Sequence, residues 1–204
     1  MKVFIVYAHP SDDSLTRHVR DRFIAGLERA GHGYTVSDLY RMNFCGDMTE
    51  AEYQREACYR LDIPVPEDAV REQEKINASD AIVFIYPLFW SDVPAKLKGW
   101  FDRVWTYGFA YGLQPGKTPD SGGGRGMKQL EKGLVICSAG NTLDYFRRTG
   151  LLESMERVML GDRLFDRVKT REMVILEGTS RELASREERW QSYLDRAFNL
   201  GVNF

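Results

Sequence analysis

The sequence predicts a doubly wound α/β fold built on a five-stranded parallel sheet. Short apolar segments of strand character alternate with segments of helical period along the chain. The first three elements read as strand, helix and strand, and such a crossover requires parallel strands in one sheet. No internal repeat or low-complexity linker divides the 204 residues. We therefore expect residues 1–204 to form one doubly wound domain.

The N-terminal part of the chain contains two predicted strands joined by a helix. The apolar run Lys2–Tyr7 predicts a strand that is buried on both faces and central in the sheet. The helix is expected to have Ser14 as its N-cap and to stop at Gly31, because apolar residues recur between them at helical spacing. A second strand is predicted from Tyr34 to Leu39.

The middle of the chain is charged before a third strand and aromatic after it. Residues 41–66 read as irregular apart from a short helix from Thr49 to about Tyr59, and Glu67–Asn77 reads as a charged helix. Ala81–Tyr86 is the strongest strand signal in the chain. Pro94 marks the start of a helix whose apolar face is rich in aromatic residues.

The C-terminal half is predicted to add two strands and two helices. Residues 106–129 contain seven glycines and two prolines, which predicts a long loop, a distorted hairpin or a flap. The strands are expected at Leu134–Ser138 and Met173–Leu176, and the helices at Leu151–Arg163 and Leu183–Leu200.

Composition excludes several classes of function. The formal net charge is −2, so no positive field favours nucleic acid. The longest apolar run, Val3–Ala8, is far too short to span a bilayer and lacks the features of a signal peptide, so we expect no membrane span and a cytoplasmic location. The three cysteines and three histidines show neither Cys-x-x-Cys nor His-Glu-x-x-His spacing, which predicts free thiols and motivates no metal site.

Three loops follow the predicted central strands at the edge where ligands bind in open parallel sheets. The first loop, from His9 to Thr16, offers hydroxyls and free N–H groups at a helix N-terminus, which suits a phosphate but also fits simple capping by Ser14. It has no glycine, so it is neither a Rossmann nor a Walker motif.

The other two loops suit a flat ligand. Residues 87–94 place Phe89 and Trp90 at the sheet edge, where they either contact a planar aromatic ligand or pack under the glycine-rich segment. The loop after Ser138 is small and polar, which permits close backbone approach to a ring or carbonyl.

Three stretches of the chain carry a resemblance to a known family. They are Val6-Tyr7-Ala8-His9-Pro10 with Ser14, then residues 37–44, and then residues 87–111 with Pro87-Leu88-Phe89-Trp90 and Leu97-Lys98-Gly99-Trp100-Phe101-Asp102-Arg103-Val104. In these stretches the chain resembles the flavodoxin-like NAD(P)H:quinone oxidoreductases, which include NQO-type enzymes and the ancillary oxidoreductases of potassium efflux systems. The resemblance is good to about Tyr111 and weak beyond Asn141, and it implies a three-layer fold with strand order 2-1-3-4-5.

The resemblance also implies the residues of a flavin site. The residues implied to bind the cofactor are His9, Ser14, Leu15, Thr16, Pro87, Leu88, Phe89, Trp90, Ser138, Ala139, Gly140 and Asn141. Those implied to contact the substrate are Tyr107, Phe109 and Tyr111. The chain departs from the family pattern at Leu15-Thr16, which is usually Phe-Asn, at Ser138–Asn141, which is commonly Thr-Thr-Gly-Gly, and at Ser91, which is often aromatic.

The implied reaction passes hydride from NAD(P)H through flavin N5 to a quinone or similar planar acceptor. Tyr145 is implied as the catalytic donor that stabilises charge on the N1–C2=O side of the flavin. No histidine follows His32, so the Tyr-His pair of some family members is incomplete here. Backbone donors from Gly140 and Asn141, or the pair Arg147-Arg148, are the alternatives.

Several alternatives stay open from the sequence. An azo- or nitro-compound reductase of the same fold, or a regulatory subunit of a transporter that binds nucleotide without turnover, would share these residues. FAD is favoured as the cofactor and FMN is possible, with residues 42–59 or a partner subunit as places for the adenosine half of FAD. The resemblance implies a homodimer whose sites are built across the interface.

Overall fold

The core of the molecule is a five-stranded sheet in which every neighbouring pair is parallel. The computed structural model describes residues 1–112, 126–180 and 186–204. Its strands are β1 (Lys2–Tyr7), β2 (Gly33–Asp38), β3 (Ala81–Pro87), β4 (Leu130–Ser138) and β5 (Val168–Leu176). They lie in the order β2-β1-β3-β4-β5, which confirms the doubly wound fold and the strand order that the resemblance implies.

Helices cover both faces of the sheet. They are α1 (Leu15–Arg29), α2 (Glu50–Ala57), α3 (Glu67–Asn77), α4 (Ala95–Val104), α5 (Leu143–Arg148), α6 (Leu151–Glu156) and α7 (Arg186–Val202). One face packs against α1 and α7, and the other packs against α3, α4, α5 and α6. β1 and β3 are buried on both faces, as their unbroken apolar runs predict.

Two strands are longer than predicted and one helix was not predicted at all. β4 begins at Leu130 and β5 at Val168, because the parallel ladder continues through polar residues, with Lys132 opposite Thr170. β5 is an edge strand, so its polar residues can face solvent while their backbone stays paired. The unpredicted helix is α5, which begins where the Thr142 side chain accepts a hydrogen bond from the Tyr145 backbone N–H.

The predicted helix Leu151–Arg163 changes type part of the way along. α6 ends at Glu156, and a π-helical segment continues from Arg157 to Leu164. Such segments recur at functional sites, since they re-aim side chains relative to an α-helix. Most of the predicted glycine-rich loop, residues 113–125, and the first residues of the predicted last helix lie outside the described residues. No helix in the described ranges is long and apolar enough to cross a membrane.

Candidate active site

The parallel order of the sheet brings the three loops singled out in the sequence to one edge. β3 lies between β1 and β4, with Tyr7 beside Ile85 and Pro87 beside Ser138. The loops that follow these strands therefore lie side by side. A hydrogen bond from the Leu88 backbone N–H to the Ser138 carbonyl, 2.8 Å long, joins the second loop to the third.

The first loop is organised around His9 and Ser14. The Nδ1 atom of His9 lies 3.0 Å from both the backbone nitrogen and the carbonyl oxygen of Ser11, which fixes the ring. Burial lowers the pKa of His9, so the imidazole is neutral at pH 7. The Ser14 hydroxyl caps α1 by accepting a hydrogen bond from the Arg17 backbone N–H, as predicted.

The side chains of Thr16 and Ser138, two of the residues implied to bind the cofactor, form a hydrogen bond with each other. Their hydroxyl oxygens are 2.9 Å apart and buried, which ties the first turn of α1 to the end of β4. These side chains hold two loops together, and the backbone N–H of Thr16 in the first turn of α1 is the part left to meet a ligand.

The second loop makes a tight turn that no glycine relieves. Phe89 and Asp92 exchange two backbone hydrogen bonds of 2.9 and 3.1 Å, and the residues between them, Trp90 and Ser91, both have positive φ angles of 53° and 61°. Asn and Gly favour such a turn, whereas other residues store strain of about 1 kcal/mol or more in it. Strain of this kind collects at functional sites, and here it presents a fully exposed Trp90.

The third loop is anchored at its two ends and open in its middle. The Ala139 N–H donates to the Leu176 carbonyl, and the Asn141 carbonyl accepts from the Gly178 N–H, each at 2.9 Å. A Cβ atom built on Gly140 would meet nothing closer than Ser180, at 4.0 Å, and Gly140 does not have a positive φ. The fold therefore does not require glycine here, and the missing side chain leaves open space beside the loop.

A cavity of about 450 Å³ lies between the second and third loops and α5. Its walls include five of the residues implied to bind the cofactor, all from the second and third loops, together with the implied catalytic residue Tyr145. They are Leu88, Trp90, Ser91, Ala139, Gly140, Asn141, Tyr145, Phe146 and Leu151. This volume falls in the range of small-molecule sites. The other seven residues implied for the cofactor lie in or beside the three adjacent loops but do not line this cavity; they are His9, Ser14, Leu15, Thr16, Pro87, Phe89 and Ser138.

The cavity includes residues that the sequence did not single out. Phe146 and Leu151 line it. Leu151, Met155 and Met159 follow one another at four-residue spacing along α6 and the π-helical segment after it, and all three line a neighbouring cavity. The four-residue spacing was a visible signal for a shared face, but nothing local showed which loop that face would meet.

The aromatic residues implied for the substrate lie elsewhere in the chain. Tyr107 and Phe109 line a cavity of about 400 Å³ beside Arg55, and Tyr111 lines another of about 560 Å³. Neither cavity includes a residue of the three loops. Glu56 holds this segment, since its carboxylate accepts from the Tyr107 N–H at 2.8 Å and from the Tyr111 hydroxyl at 2.7 Å.

Comparisons with known proteins agree with this architecture. A family model described as flavodoxin-like fold matches residues 1–199. The chain is 46% identical to a solved NAD(P)H:quinone oxidoreductase from Methanothermobacter marburgensis, over 100% of this chain and 95% of that one, with a TM-score of 0.87. It is 34% identical over 163 residues to the human ribosyldihydronicotinamide dehydrogenase [quinone], covering 74% of this chain and 68% of the human protein.

A more distant likeness bears on the fold alone. The chain is 17% identical to an azoreductase from Bacillus anthracis, over 100% of this chain and 99% of that one, with a TM-score of 0.70. The chain spans about two thirds of the length of the curated relatives that it matches first, at 65% and 68%.

Proposed function

Because the chain belongs to the family with the flavodoxin-like fold whose matched relatives include NAD(P)H:quinone oxidoreductases, we propose that it is a flavin-dependent NAD(P)H oxidoreductase that reduces quinones. The observation that carries the proposal is the cavity of about 450 Å³ at the carboxyl edge of the sheet, between Trp90 and the loop of Gly140. A site at this edge is where open α/β sheets bind ligands.

The residues around the cavity suit the ring system of a flavin. The open space beside Gly140 and the small residue Ala139 allow a flat ring to approach the backbone. Leu88 and Trp90 supply an apolar wall on the other side. When it is bound, the flavin supplies the two-electron chemistry that links a nicotinamide donor to a quinone.

The diphosphate of the cofactor is proposed to lie on the first loop. The backbone N–H groups of Leu15 and Thr16, at the start of α1, are free to bind an anion. The first turn of α1 carries no acidic residue that would repel one. The neutral His9 ring lies at the same end of the helix.

Tyr145 is proposed to donate a hydrogen bond to the N1–C2=O side of the flavin. It lines the cavity and is 39% exposed, so its hydroxyl can reach a ligand there. The backbone N–H groups of Gly140 and Asn141 have no hydrogen-bond partner in the part of the chain that the structure describes, which makes them further donors. Neither Arg147 nor Arg148 lines the cavity, and Arg148 is engaged with Asp144, so the backbone donors are preferred to the arginine pair.

A homodimer is part of the proposal, and so is FAD. Tyr107, Phe109 and Tyr111 do not line the flavin cavity of their own chain, so they would contact the flavin site only of a second copy packed against it.

The free thiols of Cys45, Cys58 and Cys137 suit a reducing cytoplasm. We propose that residues 1–204 act as one unit, since α7 packs on α1 across the sheet face.

The test is the absorption spectrum of the purified protein after incubation with FAD or FMN and desalting. We expect retained flavin that bleaches on anaerobic addition of NADPH and regains its colour when tetramethyl-1,4-benzoquinone is added. Release and identification of the flavin then decides between FAD and FMN. Loss of all flavin on desalting contradicts the proposal, and retained flavin without reduction by NADPH or NADH supports the nucleotide-binding regulatory subunit instead.

A further inference from the structure

A second cavity, of about 230 Å³, opens beside the proposed flavin cavity. The two cavities share Leu88, Trp90, Ser91 and Leu151 as lining residues. The remaining walls of the second cavity are mainly apolar, and three methionines contribute to them. We call this cavity the methionine pocket, after Met155, Met159 and Met173.

The methionine pocket contains one buried polar atom without a partner. Tyr86, at the end of β3, lines the pocket, and its side chain is fully buried. Its hydroxyl has no hydrogen-bond partner within the described residues. Burial raises the pKa of Tyr86 well above its ordinary value, so the hydroxyl keeps its proton and acts as a donor. A buried donor left unpaired costs free energy, which a ligand with an accepting atom would recover.

Asp92 and Ser154, which also line the pocket, are engaged elsewhere. The Asp92 carboxylate accepts from Arg163 Nη1 at 2.9 Å and from the Val93 backbone N–H at 2.7 Å. The Ser154 hydroxyl donates to the Gly150 carbonyl at 2.9 Å. The pocket therefore offers an apolar surface and the buried Tyr86 hydroxyl as a donor, and its carboxylate, Asp92, is already paired with Arg163.

These properties define the chemical class of the ligand. It is uncharged and apolar, and it carries an oxygen that accepts one hydrogen bond. A cavity of about 150 Å³ can hold benzene, so about 230 Å³ accommodates a flexible chain of roughly ten carbons. Methionine side chains adapt their shape to such a chain. A quinone with an alkyl chain meets both requirements, because a carbonyl lies on the ring carbon next to the one that bears the chain.

We propose that the methionine pocket is a side pocket of the acceptor site, which binds the alkyl or isoprenyl chain of a substituted quinone while the Tyr86 hydroxyl donates to the neighbouring ring carbonyl. The inference rests on the proposed function, and it names the substrate class: quinones with an aliphatic chain rather than compact quinones.

The first experiment compares two acceptors with the flavin-loaded protein and NADPH. They are tetramethyl-1,4-benzoquinone and 2,3,5-trimethyl-6-octyl-1,4-benzoquinone, whose rings are equally substituted and so have matched reactivity. Full substitution also prevents addition of the exposed thiols of Cys45 and Cys58 to the ring. We expect kcat/KM to be at least about tenfold higher for the octyl compound, since several methylene groups leave water on binding.

Two variants distinguish the contribution of the alkyl chain of the quinone from that of the Tyr86 hydrogen bond. Met155→Trp fills the pocket and is expected to bring the ratio of the two kcat/KM values close to one. Tyr86→Phe removes only the hydroxyl and is expected to lower kcat/KM for the octyl quinone about threefold to tenfold. Tyr86→Phe is also expected to fold at least as stably as the parent without ligand, because it deletes an unpaired buried donor.

A second readout does not depend on turnover. In protein labelled with ¹³C at the methionine methyl groups, the octyl quinone added without NADPH is expected to shift the signals of Met155, Met159 and Met173. Met1 and Met42 are exposed and lie outside the pocket, so their signals serve as controls. The tetramethyl quinone is expected to shift the three pocket signals much less.

The outcomes distinguish failure of the side pocket from failure of the proposed function. If both quinones are reduced with equal kcat/KM and the three methyl signals do not move, the side pocket is wrong and the oxidoreductase stands. If neither quinone is reduced, the proposed function fails, and the methyl shifts alone then decide for or against the pocket.

Discussion

The two faces of the sheet are held by different physical means. On one face, α1 and α7 pack through apolar side chains such as Val19, Phe23 and Leu27, and their backbones approach at Gly26 and Gly201. On the other face, the helices enclose an aromatic core together with buried ion pairs. A face that is held by area and shape is specified by its apolar pattern, whereas a face that is held by ion pairs depends on partners that are distant in the sequence.

The centre of the charged face is Arg103 on α4. Its Nε atom lies 2.6 Å from Glu52 of α2, and its Nη1 atom lies 2.6 Å from Asp68 of α3. Burial disfavours the charged form of Arg103, but hydrogen bonds with both carboxylates outweigh it and raise the pKa of the guanidinium. The same hydrogen bond lowers the pKa of Asp68. The charged helices of residues 50–77 are joined to α4 in this way.

The largest effect is expected from Arg103→Met. Removing the guanidinium leaves the buried Glu52 carboxylate without its cationic partner, which costs about 3–5 kcal/mol of unfolding free energy. The control is Lys98→Met on the same helix, where the exposed pair with Asp102 contributes about 1 kcal/mol or less. Urea unfolding of both variants measures the difference. Equal losses in the two would mean that the charged face is not held by this cluster.

The apolar face is tested by Gly26→Ala. A Cβ atom there would overlap the carbonyl oxygen of Phe198 on α7, so the two helices must separate, at a cost of about 1–3 kcal/mol. Gly33→Ala is the control, because a Cβ at Gly33 meets nothing within 4 Å and its φ is not positive. Thermal unfolding compares them. If Gly26→Ala unfolds at the same temperature as Gly33→Ala, the close approach of α1 and α7 is wrong.

Gly140 differs from Gly26 because it lines the proposed flavin cavity and no packing requires it. Gly140→Ala is expected to leave the unfolding free energy within about 0.5 kcal/mol of the parent. It is expected to weaken flavin binding about tenfold, which corresponds to about 1.4 kcal/mol. Gly161→Ala, also in open space but outside that cavity, is the control. Flavin dissociation constants from fluorescence quenching measure the effect, and equal constants for the two variants would count against the cavity.

The smallest effect is a pH dependence of stability from His9, which lies in the loop before the N-terminus of α1. Burial lowers the pKa of His9 in the folded protein below its unfolded value of about 6.5. Below that value the unfolded chain binds a proton that the folded chain does not, so stability is present above about pH 6.5 and is lost as the pH falls. Between pH 7.5 and pH 5, the free energy of unfolding of the parent is expected to fall by less than about 1 kcal/mol relative to that of His9→Asn. Chemical denaturation of both proteins measures this, and a difference in unfolding free energy that stays constant across that pH range would contradict the expectation.

The sequence predicted the elements whose signal is local. The apolar runs of β1 and β3, the Ser14 cap and the periodic face of α1 all depend on neighbouring residues, and the structure has them as expected. The start of β5 depends instead on the ladder that β4 offers, which no local pattern reveals.

The site was predictable as a set of loops and not as a cavity. The strand order puts three loops at one edge, but the pairing of Thr16 with Ser138 spans 122 positions of the chain and has no local signal. The same holds for the position of Leu151 beside the loop of Gly140. Tyr107 and Tyr111 are held by Glu56, which lies in residues 41–66, the part of the chain predicted to be irregular apart from a short helix.

Backbone hydrogen exchange with and without flavin tests most directly whether the three loops form one flavin site. On addition of flavin we expect slower exchange at the start of α1 around Leu15 and Thr16, at residues 88–91 and at residues 139–141, all at the same flavin concentration. Unchanged exchange at residues 139–141, with slowing confined to another part of the molecule, would contradict the proposed site.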